Sequence, residues 1–153
     1  IYFSDPRYGR TDNLEQDGQH VYYLGPDKKL IRVIDDLRKP NGLIGTPDGK
    51  KLYVADTDLS QTYLYDISQD GTLKNKRLFA EQASDGVTLD QKGNLHLTWE
   101  KVTVYNPEGE LIDAINVPER PSNITFAGKD NRTLFITART SVYTARALVK
   151  GVY

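Results

Sequence analysis

Three polar residues recur at one point of a repeating pattern: Asn41, Asp85 and Asn123. Each stands just before a short apolar run, Gly42-Leu43-Ile44, Gly86-Val87 or Ile124-Thr125-Phe126. Converging amide and carboxylate oxygens are hard ligands suited to Ca²⁺, Mg²⁺ or Mn²⁺. Asn, Asp and Gly equally favour the turns that lead into strands, so a single such residue would carry little weight. Three in one register carry more, and the residues by themselves leave both readings open.

What must position these residues is a set of short strands. Helical periodicity is almost absent, while runs rich in Val, Ile, Leu, Tyr, Phe and Thr alternate with Gly, Pro, Asn and Asp. Strands are predicted over residues 1–4, 20–24, 30–34, 42–45, 51–55, 62–66, 76–79, 86–89, 95–98, 102–105, 112–117, 124–126, 133–137 and 141–145. Residues 7–18 read as an exposed loop. The chain is all-β.

The three polar positions belong to three superposable segments. After Asn41 come Pro47-Asp48-Gly49 and Leu52-Tyr53-Val54-Ala55-Asp56. After Asp85 come Asp90-Gln91-Lys92-Gly93 and Leu95-His96-Leu97-Thr98-Trp99. After Asn123 come Gly128-Lys129-Asp130 and Leu134-Phe135-Ile136-Thr137-Ala138. The steps are 44 and 38 residues, and a period of about 40 with four strands per unit is that of β-propeller blades. The innermost strand of a blade lines the central channel, so the register puts the three residues around one channel mouth. The organisation predicted is a partial blade at 1–36, blades at 37–80 and 81–118, and a partial blade at 119–153. A propeller closes with about four to eight blades. The chain is therefore expected to be part of a longer protein, or else to be completed by further copies. Self-association through exposed blade edges is open to it.

Composition narrows the function classes. A net charge of −1 over 153 residues, with Lys and Arg dispersed, argues against nucleic-acid or anionic-membrane partners. No apolar run approaches the roughly 18 residues of a membrane span. Cys is absent, which excludes disulfides, thiolate metal sites and cysteine nucleophiles and leaves periplasmic, secreted and cytoplasmic locations all open. The opening Ile1-Tyr2-Phe3-Ser4-Asp5 lies inside a strand pattern and lacks Met, so the natural start is expected upstream. There is no Gly-x-Ser-x-Gly elbow, His-Glu-x-x-His or phosphate-binding loop. His20 and His96 fall inside strands with no paired His or Glu at metal-ligand spacing and read as packed or surface residues rather than catalytic ones. Asp5 and Asp56, each closing a second strand, read as acceptors for backbone N–H groups of an adjacent loop.

The motifs Phe3-Ser4-Asp5-Pro6-Arg7-Tyr8-Gly9, Pro40-Asn41-Gly42-Leu43, Pro47-Asp48-Gly49-Lys50, Tyr53-Val54-Ala55-Asp56-Thr57, Ser84-Asp85-Gly86-Val87 and Thr133-Leu134-Phe135-Ile136-Thr137-Ala138 together resemble the gluconolactonase/regucalcin family, also called the senescence-marker-protein family. The bacterial gluconolactonase branch is the nearest. The resemblance implies a six-bladed parent propeller of which this chain is the C-terminal part. It implies a hydrolase of sugar lactones and one bound divalent metal, Ca²⁺ first, with Mg²⁺, Mn²⁺ or Zn²⁺ as alternatives. By motif match Asn41 would be one Asn ligand and Asp85 the Asp ligand, with Asp85 also the candidate general base. The family's Glu and second Asn ligands would lie upstream of Ile1. Asn123 matches no family ligand and is left to line the channel. Two other readings stand beside this one: a hydrolase of the same fold acting on other lactones or phosphotriesters, and a non-catalytic propeller module that binds a partner.

Overall fold

Pro47-Asp48-Gly49 shows how the sequence makes these strands reverse. Gly49 takes φ +68°, a backbone state that costs glycine little, and its N–H donates to Thr46 O at 2.9 Å. The Asp48 carboxylate accepts the Thr46 hydroxyl at 2.6 Å and the Lys50 N–H at 3.1 Å. Such turns return each strand antiparallel to its predecessor. In the computed structural model, which describes residues 1–10 and 12–153, every segment of regular structure is a strand and every strand pairing is antiparallel. Fourteen strands form, and each expected strand has its counterpart. Thr11, inside the expected loop 7–18, lies outside the described residues. Among the described residues no helix is long and apolar enough to cross a membrane.

The chain divides into two compact units, Ile1–Gln82 and Ala83–Tyr153. The first holds a sheet of three strands in sequence order, β1 (Tyr2–Asp5), β2 (His20–Leu24) and β3 (Leu30–Ile34). It also holds a four-stranded meander, β4 (Pro40–Gly45), β5 (Lys51–Asp56), β6 (Gln61–Ile67) and β7 (Leu73–Ala80). Val21, Ile34, Leu37, Leu52, Val54 and Tyr65 form its core. Strand β5 is buried on both faces beyond Lys51, which explains its unbroken apolar run. The edge strand β7 is exposed over Lys74-Asn75-Lys76-Arg77, charges that discourage a further strand from pairing there.

The second unit holds β8 (Val87–Leu89), β9 (Leu95–Thr98), β10 (Val102–Tyr105) and β11 (Leu111–Ile115) as a four-stranded meander. A three-stranded sheet follows, of β12 (Pro121–Ala127), β13 (Thr133–Ala138) and β14 (Ser141–Arg146). Val102, Ile124, Phe126, Leu134 and Ile136 form its core. His96, 4 % exposed, stacks edge-on to Phe126 with ring centroids 5.4 Å apart, and His20 is equally buried. Of the packed and surface roles that the sequence left open, both histidines take the packed one.

In two of the four sheets the first strand starts earlier than apolar content alone indicates. Strand β4 begins at Pro40 and β12 at Pro121, ahead of the expected residues 42 and 124. The reason is a β-bulge at each start. Pro40 faces Asp56 while Leu43 faces Val54, so Asn41 and Gly42 together oppose Ala55. Pro121 faces Ala138 while Asn123 faces Thr137, so Ser122 is the extra residue. The third case lies just before β8, where Asp85 N–H donates to Thr98 O at 3.1 Å and Thr98 N–H to Gly86 O at 3.2 Å. Bulges bend a strand and re-aim a side chain, and this one recurs where the sequence put its polar residues.

Candidate active site

In the first unit the bulge presents Asn41, half-buried at the start of β4. Its carbonyl accepts the Ser4 hydroxyl at 2.8 Å, and its side-chain N–H donates to the Tyr8 hydroxyl at 2.5 Å. The Lys39 ammonium lies 4.7 Å from the centre of the Tyr8 ring. The segment leading into Asn41 is clamped by Asp56, whose carboxylate is fully buried. Its Oδ2 accepts the Arg38 N–H at 2.7 Å, and its Oδ1 accepts N–H groups of Lys39, Asp58 and Leu59 at 3.1, 3.1 and 3.2 Å. This is the backbone-acceptor role expected of that position. Asp5 differs, because it is exposed and its Oδ2 accepts the Gln16 side-chain amide at 2.5 Å.

Asp85 is exposed in the second unit and rests on a buried hydroxyl pair. Ser84 and Thr98 are fully buried. The Ser84 hydroxyl donates to Gly86 O at 2.8 Å and accepts the Thr98 N–H at 2.9 Å. The Thr98 hydroxyl donates to Gly86 O at 2.8 Å and accepts the Gly86 N–H at 2.9 Å. The Thr98 hydroxyl thus satisfies the Gly86 N–H, which has no backbone partner at the bulge, and the two hydroxyls reinforce the Thr98 N–H to Gly86 O bond, fixing the backbone that carries Asp85. The neighbouring strand packs tightly here. A Cβ on Gly86 would lie 2.3 Å from Asn123 Oδ1 and 2.6 Å from Asn123 Cα. The second unit therefore brings the Asp85–Gly86 bulge against Asn123.

The bulges also change the repeat alignment. Aligned on Pro40 and Pro121, Asn41 corresponds to Ser122, and Gly42 and Gly86 correspond to Asn123. Asn123 is thus one residue out of register with Asn41 and Asp85, and its Oδ1 accepts its own neighbour's N–H, that of Ile124, at 2.8 Å. The residue in register is Ser122, hydrogen-bonded at 3.2 and 3.1 Å to the carbonyl and hydroxyl oxygens of Thr137. Alignment on the prolines, rather than on matching amides, would have found it.

Asn41 and Asp85 offer an amide oxygen and a carboxylate. That donor chemistry fits a hard divalent cation. Among the described residues no three His, Asp or Glu side chains gather into a metal-binding group. A groove of about 480 Å³ in the second unit is bordered by Asn94, His96, Ile112 and Leu148, none of them at the strand-start bulges that carry Asn41, Asp85 and Ser122. Asp90, also on its border, is 1 % exposed. Burial pushes its carboxyl up, but His96, Asn94 and two backbone N–H groups outweigh that and hold it below the usual carboxylate range. His96 Nε2 stands 3.5 Å from Asp90 Oδ2, longer than a well-formed hydrogen bond.

Residues 1–140 match the family described as SMP-30/gluconolactonase/LRE-like region. The chain belongs to this family. A gluconolactonase of Zymomonas mobilis is 31% identical over 171 residues, covering 99% of this chain and 48% of that protein. A 6-deoxy-6-sulfogluconolactonase of Pseudomonas putida is 31% identical over 134 residues, covering 81% of this chain and 46% of that protein. A solved gluconolactonase structure from Xanthomonas campestris superposes with a TM-score of 0.83 at 31% identity, over 98% of this chain and 52% of that one. The chain spans about half the length of the curated relatives it matches. Its four antiparallel sheets are the blade-type sheets of the SMP-30/gluconolactonase propellers.

Proposed function

We propose that the complete protein hydrolyses sugar lactones with the help of a divalent cation held in part by Asn41 and Asp85. The observation that carries this reading is the shared bulge. One backbone device presents Asn41 in the first unit and Asp85 in the second, in a chain whose relatives are named gluconolactonase and 6-deoxy-6-sulfogluconolactonase.

In the proposed chemistry a water oxygen forms a bond to the lactone carbonyl carbon. The ring carbon–oxygen bond then breaks, and the ring oxygen takes up a proton to give the hydroxy acid. A bound divalent cation supplies a Lewis acid for the carbonyl oxygen. Asn41 contributes its amide oxygen to holding it, and Asp85 its carboxylate. Asp85 also accepts the proton of the attacking water and returns it to the departing ring oxygen. Its exposure suits that exchange, and the Ser84–Thr98 hydroxyl pair keeps its backbone from shifting as charge develops. Ca²⁺ is the cation favoured by an all-oxygen donor set, with Mg²⁺, Mn²⁺ or Zn²⁺ as alternatives.

A pH-indicator assay of the complete protein on a panel of five- and six-membered aldonolactones, before and after chelation, tests this. Turnover that chelation abolishes and Ca²⁺ restores is expected. Turnover that survives exhaustive chelation contradicts the metal part, and no turnover of any lactone contradicts the whole.

A further inference from the structure

The connection between β1 and β2 runs from Pro6 to Gln19, fourteen residues, where the other hairpins of the chain turn in a few. A loop of this length inside a compact domain is uncommon. It is also tethered along its course. The Arg7 N–H donates to Gln19 Oε1 at 2.7 Å, Gln16 joins Asp5 and Tyr22 at 2.5 Å each, and Asp17 meets Arg32 at 2.9 Å. These tethers hold Tyr8, itself 59% exposed, with its hydroxyl 2.5 Å from the Asn41 side-chain nitrogen.

From this geometry we propose that Tyr8 is a positioning residue for Asn41, one that fixes which end of the amide is offered to a cation. The inference rests on the reading of Asn41 as a ligand. An Asn amide rotates readily about χ2 because that torsion has no sharp staggered wells. Turned one way it offers a carbonyl oxygen to a cation, and turned the other way an NH₂ that repels it. An amide whose nitrogen is committed to Tyr8 keeps its oxygen on the opposite side of the plane. The grip comes from the same strand start. Lys39, whose ammonium lies over the Tyr8 ring, has its own N–H on the buried Asp56 carboxylate. Tyr8 thus acts on the amide's orientation, through its hydroxyl alone. Partners that orient metal ligands in this way typically alter metal affinity by about 10- to 100-fold when removed.

The test is calorimetric titration of the complete protein with CaCl₂, comparing wild type, Tyr8→Phe and Asn41→Ala. Tyr8→Phe keeps the ring beneath Lys39 and removes only the hydroxyl. The expected result is a Kd for Ca²⁺ raised about 10-fold, an unchanged melting temperature in metal-free buffer, and kcat recovered at saturating Ca²⁺. Wild-type affinity in Tyr8→Phe, with affinity lost in Asn41→Ala, overturns the inference and leaves the ligand reading standing. Wild-type affinity in Asn41→Ala overturns both. A lowered metal-free melting temperature in Tyr8→Phe makes the hydroxyl a stability element and overturns the positioning role.

Discussion

Replacing Gly86 by Ala probes the packing that carries Asp85. The backbone at Gly86 is not in the left-handed region, so the effect is steric. The new Cβ would lie 2.3 Å from Asn123 Oδ1 and 2.6 Å from Asn123 Cα, where ordinary contact begins at 3.4 Å. The amide can rotate away, but the Cα cannot. It belongs to β12, whose ladder with β13 runs from Pro121 to Ala127. The start of β8 must therefore yield by about 0.8 Å, the shortfall at that Cα, against the four Ser84–Thr98 hydroxyl contacts that pin it. Overpacking of this kind costs about 1–3 kcal/mol, and with an m-value of about 2 kcal/mol/M in urea the unfolding midpoint should fall by about 1 M. Asp85 sits on the displaced backbone, and a misplacement near 1 Å lowers turnover by about 100-fold. Adding Asn123→Ala removes the Oδ1 clash and leaves the Cα clash, so it should restore less than half of the lost stability. Urea unfolding followed by tyrosine fluorescence, with lactone kinetics on the same samples, reads both effects. Gly86→Ala with the wild-type midpoint and kcat would refute the packing argument.

Asp56→Ala leaves four backbone N–H groups without their carboxylate and should cost about 3–5 kcal/mol in urea unfolding. Asp56→Asn keeps an oxygen for the three N–H groups on Oδ1 but sets an NH₂ against that of Arg38, so about half that loss is expected. The Arg32 guanidinium, then His20, hold the Asp17 carboxyl down from 3.8 to about 2. A carboxyl depressed by folding stabilises the fold above its unfolded value and stops doing so as pH falls through the folded one. The Asp17 contribution should therefore be complete above about pH 4 and lost towards pH 2. A carbon-detected NMR titration of Asp17 should give a midpoint near 2, moving up towards 3.8 in Arg32→Ala. Asn123→Ala, one residue off the bulge register, should leave Ca²⁺ affinity within about 3-fold of wild type in calorimetry, far short of the effect of losing a metal ligand's orienting partner.

The strands were legible because their residues obey a local rule: β-branched and aromatic runs broken by Gly, Pro, Asn and Asp. Boundaries slipped where tertiary pairing overrode composition, as at Pro40 and Pro121, polar-flanked residues that a bulge draws into the ladder. The buried acceptor role of Asp56 was readable from its place at a strand end. The same logic missed on Asp5, because a long loop supplies the Gln16 amide instead. Asn123 was placed in the ring by matching side-chain types, whereas a bulge adds one residue and moves the equivalence to Ser122. Tyr8 had no signal of its own. It sits in a loop with no periodicity, and its partner Asn41 lies 33 residues away. The Ser84–Thr98 pair was hidden for a related reason, since two hydroxyls fourteen residues apart look like ordinary strand residues until the bulge leaves the Gly86 N–H for Thr98 to satisfy and sets Ser84 beside it.

In the proposed chemistry Asp85 accepts the proton of the attacking water. The most direct measurement is the steady-state kcat of Asp85→Asn in the complete protein on glucono-δ-lactone at saturating Ca²⁺, corrected for spontaneous hydrolysis. The account predicts a fall of about 100- to 10,000-fold, the range for removing a general base, with the melting temperature of the wild type. A variant that turns over at the wild-type rate would contradict it.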